Sequence, residues 1–300
     1  MVKHDKSGKI YAMKTVSKAL VAGSSMKARP LAEKQILMMC DSPHIIKLYN
    51  TYQDPTELHF LLELCICGDL FGLMKGNDLF GDMPCVQYYS AVVIEALLHL
   101  HSKHIVYRDL KPENLLAKPN GKIKLCDMDM AKVVFGMTYT VCGTPEYMAP
   151  EIVGQTGHGA AVDWWSLGIF VHELLTGKTP FAAETPWQIF RAARNGIEGH
   201  QWHEGIQNDQ DTVAFLTNLL QSTPSMRLPM QKNGMVELKA KPIFDGFDWS
   251  TVYNPECFQA PFKPPIPIVS DWITRARPMD ISVRQSPDYC DDDTGWAADF

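Results

Sequence analysis

Apolar residues along the chain recur in two rhythms. Residues 9–15, 45–52 and 57–64 carry β-branched, aromatic and alternating positions, typified by Glu57-Leu58-His59-Phe60-Leu61-Leu62-Glu63-Leu64, and are predicted to be short strands. Residues 26–39 read as a helix between the first two. From 84 to 101, Tyr89, Val93, Ala96, Leu97 and Leu100 return at helical spacing, and from 162 to 176 Trp165, Leu167, Val171 and Leu174 do the same. Polar loops at 104–114 and 127–150 lie between these helices, separated by a strand-like stretch from Lys122 to Cys126. Strands first and helices later predict an α+β architecture, a small sheet-rich lobe followed by a larger helical one. After Trp249 come prolines at 261–267 and an acidic run at 288–293, which cannot build a core and are expected to drape over the rest as a tail. No internal repeat is present.

Composition narrows the class. The 300 residues are 46% apolar and 21% charged, which excludes wholesale disorder and coiled coil. With 28 Lys and Arg against 34 Asp and Glu, the net charge of −6 disfavours non-specific binding to nucleic acid or anionic membrane and suits a basic partner. The longest apolar run, around 164–171, is too short to span a bilayer. The opening Met1-Val2-Lys3-His4-Asp5-Lys6 is too polar for a secretory signal, so a cytoplasmic location is expected. Eight cysteines form no Cys-x-x-Cys pair and sit mostly in apolar segments, as reduced thiols do. His200, His203 and Glu204 have loop character and no third ligand in place, which gives a metal site there little weight.

The chemistry concentrates in Tyr107-Arg108-Asp109-Leu110-Lys111-Pro112-Glu113-Asn114, followed after the strand-like stretch by Asp127. A carboxylate at Asp109 can accept a hydroxyl proton and Lys111 can neutralise a transferred phosphoryl group. Asn114 and Asp127 offer the hard oxygens that Mg²⁺ requires.

This segment resembles the catalytic loop of eukaryotic protein kinases. At about one in twenty per position, a chance occurrence of Asp-Leu-Lys-Pro-Glu-Asn in a chain of this length has odds on the order of 10⁻⁵. Tyr11-Ala12-Met13-Lys14 resembles the strand-lysine motif, Glu33 the helix glutamate, and Ala149-Pro150-Glu151 the end of the activation segment. Tyr107, Thr140-Val141-Cys142-Gly143-Thr144-Pro145-Glu146-Tyr147 and Asp163-Trp164-Trp165-Ser166-Leu167-Gly168 resemble the AGC-type kinases regulated by cyclic nucleotides. The segments 244–249 and 264–267 and the ending Gly295-Trp296-Ala297-Ala298-Asp299-Phe300 are most similar to the cGMP-dependent kinases, with the cAMP-dependent kinases next.

The resemblance implies a two-lobed kinase fold: 1–64 a partial small lobe, 65–248 the large lobe, 249–300 the tail. It implies ATP-dependent, Mg²⁺-assisted phosphorylation of Ser or Thr in basic, arginine-containing substrates, and a regulatory cyclic-nucleotide-binding region or subunit as partner. Lys14 and Glu33 would pair to position ATP phosphates, with the base against Glu63, Leu64 and Cys65, Leu62 behind it, and Asp69 at the edge of the nucleotide site. Asp69, Glu113 and Glu173 would receive arginines, and Val141, Pro145 and Met148 would receive the residue after the target. Thr140 would be a phosphorylation switch read by Arg108, Lys132 and Arg29. Glu151, Asp163 and Arg227 would be structural, and Trp296 and Phe300 would dock on the small lobe and steady the helix bearing Glu33.

Two departures from the family stand out. No Gly-x-Gly-x-x-Gly loop lies between Met1 and Lys14, as in a truncated chain, and Asp-Phe-Gly reads Asp127-Met128-Asp129. Met128 can fill the phenylalanine slot, but Asp129 carries a β-carbon where the family's glycine accepts costly backbone angles, and it adds charge beside the metal site. These departures leave a pseudokinase or binding scaffold as the rival reading.

Overall fold

In a computed structural model, residues 1–22, 28–197, 200–254, 259–266, 297 and 300 are described. The chain opens with a four-stranded antiparallel sheet in the order β1-β2-β4-β3, made of β1 (Val2–Lys3), β2 (Ile10–Ser17), β3 (Leu48–Gln53) and β4 (Glu57–Leu62). Between β2 and β3 lie the short α1 (Lys18–Ala22) and α2 (Ala28–Met39), whose buried side includes Glu33, Ile36 and Leu37. The β3–β4 hairpin is closed by Asp54, whose Oδ1 accepts from the Thr56 and Glu57 amides at 2.8 and 2.7 Å. That local bonding is why a short polar side chain sits at this turn.

The larger lobe is helical. After α3 (Leu70–Gly76), α4 (Met83–Ser102) begins with the Asp82 carboxylate capping the Cys85 amide at 3.1 Å and with Pro84 in its first turn. Next come β5 (Ile105–Val106), β6 (Leu115–Ala117), β7 (Ile123–Leu125), β8 (Lys132–Val133) and α5 (Pro150–Val153). The central α6 (Ala161–Thr176) is buried from Ala161 to Leu174 and stops at Gly177, which takes φ 72°. Then follow α7 (Pro186–Asn195), α8 (Gln210–Leu219), α9 (Gly234–Lys239) and α10 (Ser250–Tyr253). Helices α4 and α6 pack together at the middle of the core, where Trp165 stacks on Phe181 with ring centroids 5.6 Å apart. Among the described residues, no helix is long and apolar enough to cross a membrane.

The third strand starts at Leu48, later than the apolar pattern predicts. Ile45 and Ile46 are buried because they join the lobes: the Ile46 amide donates to Leu125 O and the Leu125 amide to His44 O, each at 2.8 Å. The two polar loops each contain a two-residue strand, β5 and β8, which pair with each other. The tail crosses the β6–β7 turn so closely that a Cβ on Gly121, already at φ +81°, would lie 2.3 Å from Ala260 Cβ. Farther on, the buried Phe300 ring stands edge-on to Phe60, centroids 5.0 Å apart, and Phe300 O accepts from Thr51 Oγ1 at 2.7 Å and from Lys34 Nζ. Lys34 lies on α2, next to Glu33. Trp296, the acidic run 288–293, Cys257 and Cys290 lie outside the described residues.

Candidate active site

Asp163 organises the loop that follows β5. Fully buried at the start of α6, it accepts from the Tyr107 and Arg108 amides at 2.9 and 2.8 Å and lies 2.7 Å from His101 Nε2. These bonds hold Arg108 in a left-handed conformation, φ 69°, that costs a non-glycine residue energy unless its surroundings fix it. The Tyr107 hydroxyl donates to Cys126 O at 2.6 Å, tying this loop to the segment carrying Asp127.

The turn delivers Asp109 into a ring of donors. Asn114 Nδ2 gives hydrogen bonds to Asp109 O and Oδ2 at 2.8 and 2.9 Å, Thr144 Oγ1 donates to Oδ1 at 2.9 Å, and Lys111 Nζ lies 3.0 Å from Oδ2. Lys111 also donates to Thr144 Oγ1 at 2.9 Å. An ionised carboxylate so held is oriented to accept a proton.

Across the cleft, Lys14 on β2 meets Glu33 at 2.7 Å and Asp127 at 2.8 Å. Burial disfavours the ammonium, but the two carboxylates outweigh it and hold the Lys14 pKa above its ordinary value. Burial also raises Glu33, so the two shifts pull the proton in opposite directions. The 2.7 Å contact favours the ion pair.

The expected backbone cost at Asp129 does not arise. Among the Asp-Met-Asp residues it is Asp127 that takes a positive φ, 54°, which a short acidic side chain tolerates. Asp129 turns its carboxylate to Arg29 at 3.5 Å instead of crowding Asp127, and Met128 fills the apolar slot with no exposure.

The remaining predicted residues lie in different settings. The Glu63 side chain binds Lys118 at 2.8 Å and Lys124 at 3.0 Å; burial would raise its pKa, but the two ammonium groups outweigh this and hold it below the usual carboxylate range. The Cys65 main chain makes no hydrogen bond among the described residues, leaving its N–H open to a ligand. Burial pushes the Cys65 thiol up to about 11. Asp69 caps α3 by accepting from the Gly72 amide at 2.8 Å, and Glu113 is exposed. Glu173 is buried, accepts from the Tyr147 hydroxyl, and is raised to about 7 by burial and by the nearby Glu113 and Glu146 carboxylates. Val141 is exposed, Pro145 half-buried and Met148 buried.

Thr140 is exposed, and none of its three expected cations reaches it. Arg108 Nε donates to Met130 O at 2.8 Å, Lys132 Nζ to Thr138 Oγ1 at 2.9 Å, and Arg29 pairs with Asp129. Arg108 Nη1 is buried without a partner. Glu151 and Arg227 form a buried bidentate pair at 2.6 and 2.8 Å. His200 packs edge-on to Trp202 at 5.2 Å, an aromatic contact.

Thr144, Tyr147, Lys118 and Lys124 received no individual role from the sequence. Thr144 and Tyr147 stand in the Gly-Thr-Pro-Glu-Tyr run, which is their only signal there; the lysines have none.

Residues 1–237 match the protein kinase domain model. Over 297 residues, 98% of this chain, the sequence is 34% identical to the cGMP-dependent protein kinase, isozyme 2 forms cD5/T2, of Drosophila melanogaster, covering 31% of that relative. It is 37% identical over 251 residues to cGMP-dependent protein kinase 2 of Homo sapiens, covering 83% of this chain and 32% of the relative. With the cAMP-dependent protein kinase catalytic subunit of Dictyostelium discoideum the identity is 37% over 254 residues, 85% of this chain and 38% of the relative. The chain thus spans about a third of the length of the curated relatives it matches.

Proposed function

Because the chain belongs to the protein kinase family, we propose that it transfers the γ-phosphoryl group of ATP to Ser or Thr hydroxyls in basic protein substrates. The observations that carry this reading are the Asp109 carboxylate, oriented by Asn114, Thr144 and Lys111, and the Lys14–Glu33–Asp127 cluster. As the substrate oxygen attacks the γ-phosphorus and the bond to the leaving ADP oxygen breaks, Asp109 takes the hydroxyl proton. Lys111 balances charge on the moving phosphoryl group, and Lys14, kept charged and aligned by Glu33, draws the phosphates of the bound nucleotide. Thr144 keeps Asp109 and Lys111 in register.

Asn114 and Asp127 fit Mg²⁺. Asn114 donates both hydrogen bonds of its amide nitrogen to Asp109, which leaves its Oδ1 to accept a cation, and the Asp127 carboxylate is partly open to solvent. The bound ion would neutralise phosphate charge.

The nucleotide base lies against the segment after Leu62, with the Cys65 N–H as donor, Glu63 stiffening that segment through Lys118 and Lys124, and Asp69 beyond its end. Asp69, Glu113 and Glu173 receive arginines, and Val141, Pro145 and Met148 take the following apolar residue. Thr140 accepts an activating phosphate; Arg108, with its unpartnered Nη1, then turns to it together with Lys132, and Arg29 reaches it with the guanidinium nitrogens that do not hold Asp129. Residues 1–64, 65–248 and 249–300 act as small lobe, large lobe and tail, with Phe300 docked on the small lobe. The relatives named as cGMP-dependent support a cyclic-nucleotide-responsive region or subunit as partner.

The test is phosphate transfer from labelled ATP to an Arg-Arg-x-Ser peptide. Replacing either arginine by alanine should lower kcat/KM by at least ~10-fold, and equal rates on basic and acidic peptides would refute the assignment. The reading also sets a pH dependence. Glu173 must be ionised to hold an arginine, and its pKa is raised to about 7, so kcat/KM for the arginine peptide rises as pH climbs through about 7. Glu173→Gln should flatten that rise, and a peptide lacking the matching arginine should not show it.

A further inference from the structure

Two tethers join α2 to the Asp-Met-Asp segment. One runs through Lys14, 2.7 Å from Glu33 and 2.8 Å from Asp127; the other is direct, from Arg29 Nη1 to Asp129 at 3.5 Å. Arg29 and Glu33 are one helical turn apart on α2, and Asp127 and Asp129 flank the fully buried Met128. The contacts therefore close a ring: Asp127, Lys14, Glu33, one turn of helix, Arg29, Asp129 and back along the chain.

We infer that Asp129 is a positioning residue, which holds α2, and with it Glu33, against the metal-binding segment through Arg29. The two tethers differ in what they do during the proposed reaction. Lys14 serves two carboxylates, and once it faces phosphate oxygens and Asp127 faces a cation, the Lys14–Asp127 contact is weakened. The Arg29–Asp129 contact uses neither group and persists through that exchange. Glycine at this position, as in the family motif, offers Arg29 nothing. With both side chains more than a third exposed, the pair is a modest one, so its effect is graded.

This inference rests on the proposed kinase reaction only where activity is measured, so the test has two arms on the full chain. In the first, hydrogen exchange of the α2 amides is followed with and without Mg-ATP for wild type, Asp129→Asn, Arg29→Gln and their double variant. In the second, kcat is separated from KM for ATP in the same proteins. Each single variant should raise α2 exchange in the nucleotide-bound state, and raise KM for ATP, by about two- to fivefold, with the double variant no worse than either single. The reversed pair, Arg29→Asp with Asp129→Arg, should recover part of the loss; if that variant does not fold, the cycle of neutral variants decides. Additive effects in the double variant, or a lowered unfolding midpoint with unchanged α2 exchange and unchanged KM, would overturn the inference. If wild type transfers no phosphate, the proposed function fails while the exchange arm still decides the role of Asp129.

Discussion

Replacing Asp109 by Asn is expected to reduce phosphoryl transfer by ~10²-fold or more while leaving Mg-ATP affinity nearly unchanged. The substitution keeps the shape of the side chain but removes its ability to take the hydroxyl proton. Its neighbours are built to receive a carboxylate: Asn114 and Thr144 donate to Asp109 at 2.9 Å, and Lys111 is 3.0 Å away. With an amide at position 109, one oxygen acceptor is replaced by a donor facing donors, so orientation suffers as well. The proposed nucleotide contacts lie elsewhere, at Lys14 and along the segment after Leu62, so affinity should persist. Single-turnover transfer alongside equilibrium nucleotide binding checks both halves. A variant with undiminished transfer would remove Asp109 from its proposed role; a parallel loss of nucleotide binding would mean the change had disturbed the whole cleft.

The second large effect is on stability. Arg227 is fully buried, gripping both oxygens of Glu151 at 2.6 and 2.8 Å, donating to Ala161 O at 2.8 Å and Gln221 O at 3.0 Å, and lying 5.3 Å from the centre of the Trp165 ring. Removing only Glu151 strands a buried guanidinium, which costs about 3–5 kcal/mol. Glu151→Ala should therefore shift the denaturant midpoint strongly downward. Replacing both partners by leucine removes both charges, and its loss should be smaller than the sum of the losses in Glu151→Leu and Arg227→Leu. Midpoints of the four proteins in urea measure this, and strictly additive losses would show that the pair is not coupled. Because Glu151 lies in the first turn of α5, shortly after the segment carrying Thr144, activity in Glu151→Ala should fall together with stability.

Both effects concern groups that the linear chain identifies in different degrees. Asp109, Lys111, Asn114 and Asp127 were legible because they crowd into short stretches, where covalent connection keeps them close in any fold. Lys14 and Glu33 were legible through their spacing. The strand and helix order could be read for a similar reason: β2, β4, α4 and α6 carry their apolar residues at the period each backbone repeats, and that period is a local property. Ile45 and Ile46 misled because a β-branched pair looks the same whether it extends a strand or bridges two lobes.

The sequence by itself determined the architecture and the family and singled out the candidate reacting groups, since these depend on residue type and on spacing along the chain. Only the tertiary structure decided which groups meet. Thr144 reaches Asp109 across 35 positions and Tyr147 reaches Glu173 across 26, because α6 and the turns before α5 fold back over the catalytic loop. Lys118 and Lys124 find Glu63 because the β6–β7 hairpin packs beneath the small lobe. Asp129, read from the chain as a strained residue crowding a metal site, lies in an unstrained conformation beside an arginine 100 positions earlier. Such contacts join charges whose separation in space is set by how helices and strands pack, a quantity the linear order does not contain.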